Sequence, residues 1–155
     1  MDIAAVLLQF CDAVEKRDGD RFASLFCEDA VYHDLFYGAF AGRTKIAAMI
    51  NHVFYKDATE FRLDMLDPVG DSRTLYSRYV FSYKSLLPEA QGKRAMFEGV
   101  SIMTIRDGLI AEYREIANPG TAFVDMNFAP GRIARILERE ASKLKGRPEM
   151  ARHLE

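Results

Sequence analysis

The sequence predicts an α+β domain: three helices, an antiparallel meander of strands, then one late helix, with the helices covering one face of the sheet. Two rhythms carry this. Apolar side chains recur every three to four residues as far as about Tyr55, and between Phe61 and Ala117 they alternate with polar ones in period two. The turns between the alternating runs are too short for parallel crossovers, which leaves antiparallel pairing. A chain of 155 residues then makes one domain, long enough to bury roughly 68–70% of its unfolded surface.

The first helix is expected over about residues 2–17, with Ile3, Val6, Leu7, Phe10 and Val14 on its inner face. Asp18-Gly19-Asp20 ends it and caps a short helix over 21–26. A β-run follows, Ala30-Val31-Tyr32-His33-Asp34, and then a glycine-broken aromatic loop from Leu35 to Gly42. Gly42 or Thr44 opens a third helix reaching about Tyr55, its core face being Ile46, Met49, Ile50 and Val53. Phe61, Leu63 and Met65 alternate with Glu60, Arg62 and Asp64 in a half-buried strand, closed by a turn over 68–71. A long strand over 73–87 puts Tyr79, Phe81 and Tyr83 on one face and Arg78, Ser82 and Lys84 on the other. Residues 88–92 turn the chain into a strand over 94–105, Asp107-Gly108 signals a tight hairpin, and 109–117 is the last strand. Asn118-Pro119-Gly120 ends the sheet, and a terminal helix is expected over 131–145 with Ile133, Ile136, Leu137 and Leu144 inward.

Composition narrows the partners. Hydrophobic content of 49% with 28% charged residues is that of a globular protein, and a net charge of −2 offers no footprint for nucleic acid or an acidic membrane. No run approaches the ~18 apolar residues of a spanning helix, and Met1-Asp2-Ile3 lacks the basic region of a signal peptide. Cys11 and Cys27 have no metal-like spacing and read as two buried thiols in a reducing compartment, so the expected location is cytoplasmic. His33 and His52 form no zinc-type pattern, and no nucleophile elbow, phosphate loop or dinucleotide fingerprint is present. Neither a metal nor a cofactor is expected.

Asp18-Gly19-Asp20 with Leu25-Phe26, Glu28-Asp29-Ala30, Asp34, Gly42 before Ile46, and Asp107-Gly108-Leu109-Ile110 together resemble the nuclear transport factor 2-like (NTF2-like) superfamily. The likeness is to its SnoaL-like polyketide-cyclase and ketosteroid-isomerase-like branch, and it covers about residues 6–119. It implies a cone: a strongly bent sheet wrapped around the N-terminal helices, with a cavity open at one end. Residues 1–155 would then be a single domain of this kind, with 121–155 an extension that in some relatives covers the cavity mouth. In the isomerase branch a carboxylate matching Asp34 shuttles the proton, while a tyrosine and a protonated aspartate bind the enolate oxygen. Those two donors fall here on Phe10 and near Ser101. The resemblance therefore keeps the base and loses the oxyanion pair, and ketosteroid isomerisation itself is not expected.

If Asp34 points inward, period two carries Tyr32 with it and sends His33 out. The same alignment puts Tyr113, Glu115 and Ala117 inside on the last strand. Asp34, Tyr32, Tyr113 and Glu115 are thus the candidate catalytic residues, Asp34 bonded to one of the two phenols. Phe10, Phe61, Tyr79, Phe81, Tyr83, Phe97, Ser101 and Met103 are the candidate substrate-binding wall. An apolar wall raises a carboxylate's pKa and a second carboxylate raises it further, which suits a general acid or base near neutral pH. Structural roles stand beside these: Asp34 as a turn cap on the backbone of Phe36 or Tyr37, Glu115 in an ion pair with a neighbouring strand. A one-residue slip would exchange Asp34 for His33 and Glu115 for Arg114.

Arg78 and Arg114 read outward, against the Asp-Arg-Asp epoxide-hydrolase arrangement of a related branch. Arg132, Arg135, Lys143 and Lys145, set against Glu138 and Glu140, read as a solvated helix face. Three functions follow: a cofactor-free isomerase, dehydratase or cyclase acting on a hydrophobic carbonyl or hydroxylated compound, a non-catalytic binder of a hydrophobic ligand, or a dimerising interaction module. A homodimer is expected through Val80, Val100 and Ile102 beside Thr74 and Thr104, and residues 123–137 are expected over the cavity mouth.

Overall fold

The computed structural model describes residues 2–155. Helix α1 (Ile3–Glu15) starts where the Asp2 carboxylate accepts from the Ala5 N–H at 3.2 Å, and it buries Leu7, Phe10, Ala13 and Val14 along one stripe. Helix α2 (Gly19–Ala23), capped by Asp18 on the Arg21 N–H, is shorter than the sequence suggests. The reason lies downstream: Phe26 already pairs with Ile110, so strand β1 (Phe26–Asp34) begins four residues before the expected run. Gly19 also has a packing duty, because a Cβ there would lie 2.3 Å from the Ala47 carbonyl oxygen of the next helix.

The aromatic loop after Asp34 folds back as a further strand, β2 (Gly38–Ala41), paired antiparallel with β1. Helix α3 (Arg43–Ala48) continues as wider π-helical turns over Met49–Phe54, which bury Met49, Ile50 and Phe54. The meander comprises β3 (Ala58–Gly70), β4 (Thr74–Ser85), β5 (Arg94–Arg106) and β6 (Leu109–Ala117), all antiparallel. The turn expected over 68–71 lies slightly later, where Asp71 Oδ1 accepts from the Arg73 and Thr74 N–H groups at 2.7 and 2.9 Å. Asp107 and Gly108 both have positive φ, as the tight β5–β6 hairpin requires.

Sheet order is β2-β1-β6-β5-β4-β3. One pairing departs from the antiparallel expectation: β1 runs parallel to β6, with Tyr32 opposite Tyr113. The short-turn argument governs consecutive strands only, and β1 reaches β6 through a long excursion. Register shifts within β3 coincide with positive φ at Glu60 and Asp67. Such bulges bend a strand, and the open, curved sheet closes over α1. The closed end is packed by Phe10, Phe22 and Phe26, with Phe10–Phe22 centroids at 4.6 Å and Phe22–Phe26 at 5.2 Å.

Two helices follow the sheet. Helix α4 (Gly120–Asp125), absent from the sequence reading, buries Ala122 and Phe123 against the sheet. Helix α5 (Pro130–Lys145) turns Ile133 and Ile136 toward the core, while Leu137 and Leu144, expected inward, stay about half exposed. The inward stripe is narrow because α5 lies across the open end of the cone.

Candidate active site

Inward-facing alternate residues of the curved strands wall a cavity of about 290 Å³. From β1 come Tyr32 and Asp34; from β6, Tyr113 and Glu115; from β4, Tyr79, Phe81 and Tyr83; from β5, Phe97. Phe61 of β3 and Phe10 of α1 complete the wall foreseen from the sequence. His33 and Arg114 point to the outer face, where Glu112 meets both at 3.1 and 2.8 Å. The parallel β1–β6 pairing stacks Tyr32 on Tyr113, with centroids 4.2 Å apart and planes 5° from parallel. Two residues further along each strand, Asp34 and Glu115 come together on the same wall.

Their partners differ. Asp34 Oδ1 accepts from the Phe36 and Tyr37 N–H groups, both at 2.8 Å, so the carboxylate caps the β1–β2 turn. Neither Tyr32 nor Tyr113 bonds Asp34, as had been expected; the phenol engaged by a carboxyl is Tyr79, which donates to Glu115 Oε2 at 2.5 Å, while the Leu35 N–H donates to Oε1 at 3.1 Å. The turn amides reach Asp34 first because they are local in sequence, whereas Tyr79 arrives across the sheet beside Glu115. Both carboxyls are half-buried wall residues, and what exposure they keep is toward the cavity.

Burial pushes Asp34 up to about 6, against the pull of the two turn amides. Burial also pushes Glu115 up to about 7, helped by the negative charge of Asp34 and opposed by Tyr79, the Leu35 N–H and Tyr113. Both carboxyls are therefore raised toward neutrality, Glu115 the further of the two. The Tyr79 phenol is raised by burial and then by Glu115, and burial lifts Tyr32 and Tyr113 well above their ordinary value, so all three remain protonated donors.

Ser101 and Met103 do not line the cavity. Ser101 is wholly buried and donates to the Ser77 carbonyl at 3.1 Å, and Met103 is packed in the core. At that depth Phe10 stacks on Tyr113 with centroids 5.6 Å apart, and the rings fill the narrowing cone. Arg78 and Arg114 are exposed and paired with acidic residues of the outer surface, so no strand arginine enters the cavity.

Several wall residues lay outside the sequence reading. Phe36 and Tyr37 enter from the β1–β2 turn, Phe54 and Asp57 from beyond α3. Phe123, Met126, Phe128 and Ile136, from the segment expected over the mouth, line the cavity, and the Tyr83 hydroxyl reaches Met126 Sδ at 3.7 Å. Arg132 is a correction: it borders the cavity instead of lying on a solvated face, and Arg139, which the sequence reading did not single out, borders it too. Their seven-residue spacing, with Ile136 between, was the available signal. Among the described residues no three His, Cys, Asp or Glu side chains converge as metal ligands, and no helix is long and apolar enough to cross a membrane.

The profile of the SnoaL-like domain matches residues 7–113. No curated protein matches the chain. Among solved structures, TsrD from Streptomyces laurentii superposes with a TM-score of 0.68 at 17% identity, covering 81% of this chain and 97% of TsrD. An LEH-like epoxide hydrolase from M. tuberculosis gives 0.63 at 15% identity, covering 86% and 94%. IdmH, a proposed polyketide cyclase from Streptomyces antibioticus, gives 0.65 at 16% identity, covering 82% and 99%. At such identities the likeness is one of fold.

Proposed function

This chain belongs to the SnoaL-like domain family of the NTF2-like superfamily, and on that premise we propose that it is an acid–base enzyme acting on a hydrophobic carbonyl compound. The observation that carries the proposal is the Asp34–Glu115 pair, two carboxyls on adjacent strands of an aromatic cavity with values raised to about 6 and about 7. Paired groups whose environments set different values divide the roles of base and acid.

Asp34, with Oδ1 engaged by the turn amides, offers Oδ2 to a substrate C–H next to the carbonyl. The proton passes to Asp34, and the electron pair moves onto the carbonyl oxygen. Tyr79 donates to that oxygen and is resupplied by protonated Glu115, since a neutral carboxyl donates to the phenol where an ionised one accepts from it. This pair stands where Phe10 and Ser101 cannot serve. The enolate then takes the proton back at another carbon, expels a β-hydroxyl as water, or attacks an internal carbonyl, giving isomerase, dehydratase or cyclase chemistry with no cofactor required. The test is hydrogen–deuterium exchange at the α-carbon of hydrophobic ketones in heavy water, followed by NMR. Wild type should accelerate exchange and Asp34→Asn should not; equal rates would refute the assignment.

A second reading, a non-catalytic carrier of a hydrophobic ligand, is favoured by the internal bonding of both carboxyls, Asp34 to its turn and Glu115 to Tyr79 and Leu35. It predicts ligand binding without exchange. We further propose a cytoplasmic homodimer through the outer sheet face, where Tyr76, Val100 and Ile116 are exposed.

A further inference from the structure

The cavity has two electrically different sides. Its sheet wall holds Asp34 and Glu115, together with the phenols of Tyr32, Tyr79 and Tyr113. Its rim carries two guanidinium groups of α5, Arg132 and Arg139, on the same helix face as Ile136. An anionic group on a ligand would be repelled by the carboxyl wall and attracted toward α5, which gives a charged ligand one favoured orientation.

The two arginines are not equivalent. Arg132 is committed: its Nη1 lies 2.5 Å from Glu89 Oε1 and its Cζ sits 3.7 Å over the Phe128 ring. Arg139 is loosely held, its Nε lying 3.7 Å from Glu140 Oε1, an oxygen already taken by Lys143 at 2.9 Å. Among the described residues of the cavity wall Asp57 is the one other acid, and it lies near Tyr37, whose phenol it helps to raise. The α5 side of the rim therefore presents a guanidinium with spare donors above an apolar shaft.

We propose that the cavity takes amphipathic anions: a flat apolar body bearing a carbonyl, ending in a carboxylate, sulfonate or phosphate that Arg139 binds at the rim. Arg132, locked on Phe128 and Glu89, shapes the apolar collar below it. The inference rests on the cavity reading given above and names the substrate class of that same site. Arg139 acts as a specificity residue; it does not touch the reacting atoms.

The test uses two fluorescent probes differing in one group, anilinonaphthalene sulfonate and its uncharged parent phenylnaphthylamine. Wild type should bind the sulfonate about 3- to 10-fold more tightly, the range of a charged hydrogen bond screened at a partly exposed site. Arg139→Met should abolish that preference while leaving the affinity for the parent dye and the melting temperature unchanged. Arg139→Lys should restore part of it, and added salt should weaken it in wild type. A wild-type preference for the parent dye, or a sulfonate preference that survives Arg139→Met, would overturn the inference alone. Failure of both dyes to bind would overturn the cavity reading and the inference with it.

Discussion

Replacing Asp34 by Asn separates two roles that one side chain combines. The carboxyl is raised from its ordinary 3.8 to about 6, mainly by burial, so the folded chain holds this proton more tightly than the unfolded chain. With the folded value above the unfolded one, Asp34 leaves stability intact below about pH 4 and takes it away as pH rises to about 6. The loss reaches up to about 3 kcal/mol. Asparagine keeps an oxygen for the Phe36 and Tyr37 N–H groups and has no proton to lose. Asp34→Asn should therefore match wild type near pH 4 and exceed it at pH 8 by up to about 3 kcal/mol, or about 6–12 °C in melting temperature for a domain of this size. Asp34→Ala also removes the acceptor for both amides, costing about 0.5–2 kcal/mol by analogy with helix caps. It should fall below wild type at pH 4 and below Asp34→Asn at every pH. Glu115 shifts as well, because the Asp34 charge is the second cause of its raised value. Thermal melts of the three proteins from pH 4 to 8 test this. Asp34→Asn melting below wild type at pH 8, or a difference that does not vary with pH, would refute the reasoning.

Tyr79→Phe removes a donor to Glu115, so the Glu115 value should climb above about 7 and α-exchange should fall, with about 1 kcal/mol lost in stability; a pH–rate profile and a melt report both. Gly99→Ala would place a Cβ 2.8 Å from the Tyr79 hydroxyl and 2.7 Å from the Ile116 carbonyl oxygen. It should cost about 1–3 kcal/mol in a denaturant titration, and an unchanged midpoint would show that the β5–β6 backbone yields there. Truncation after Asn118 removes buried Ala122 from the core and Phe123 and Met126 from the cavity wall, so hydrophobic dye fluorescence should rise and the melting temperature fall. Sedimentation at micromolar concentration should show a dimer, and a species of only 17.6 kDa would exclude the outer-face interface.

The residues themselves determined whatever depends on near neighbours. Period two along β1 and β6 put Tyr32, Asp34, Tyr113 and Glu115 inward and His33 and Arg114 outward, and the Asp107-Gly108 turn made β5 and β6 neighbours without reference to the rest of the chain. The Asp34 cap was legible for the same reason, since its partners lie two and three residues away. Tertiary structure decided what joins distant segments. Only the parallel β1–β6 pairing sets Asp34 beside Glu115, and only the packing of β4 against β5 and β6 gives the Tyr79 hydroxyl to Glu115 instead of Asp34. Ser101 belongs to the inward series of β5, yet its depth in the cone gives its hydroxyl to the Ser77 carbonyl and not to a ligand. On α5, helical spacing shows that Arg132, Ile136 and Arg139 share a face, but what that face meets depends on where the helix lands on the open end of the cone. Alternation and turn chemistry act over a few residues and are written locally, whereas the depth of the cone and the coupling of two carboxyls arise from contacts tens of residues apart, which no short stretch of sequence contains.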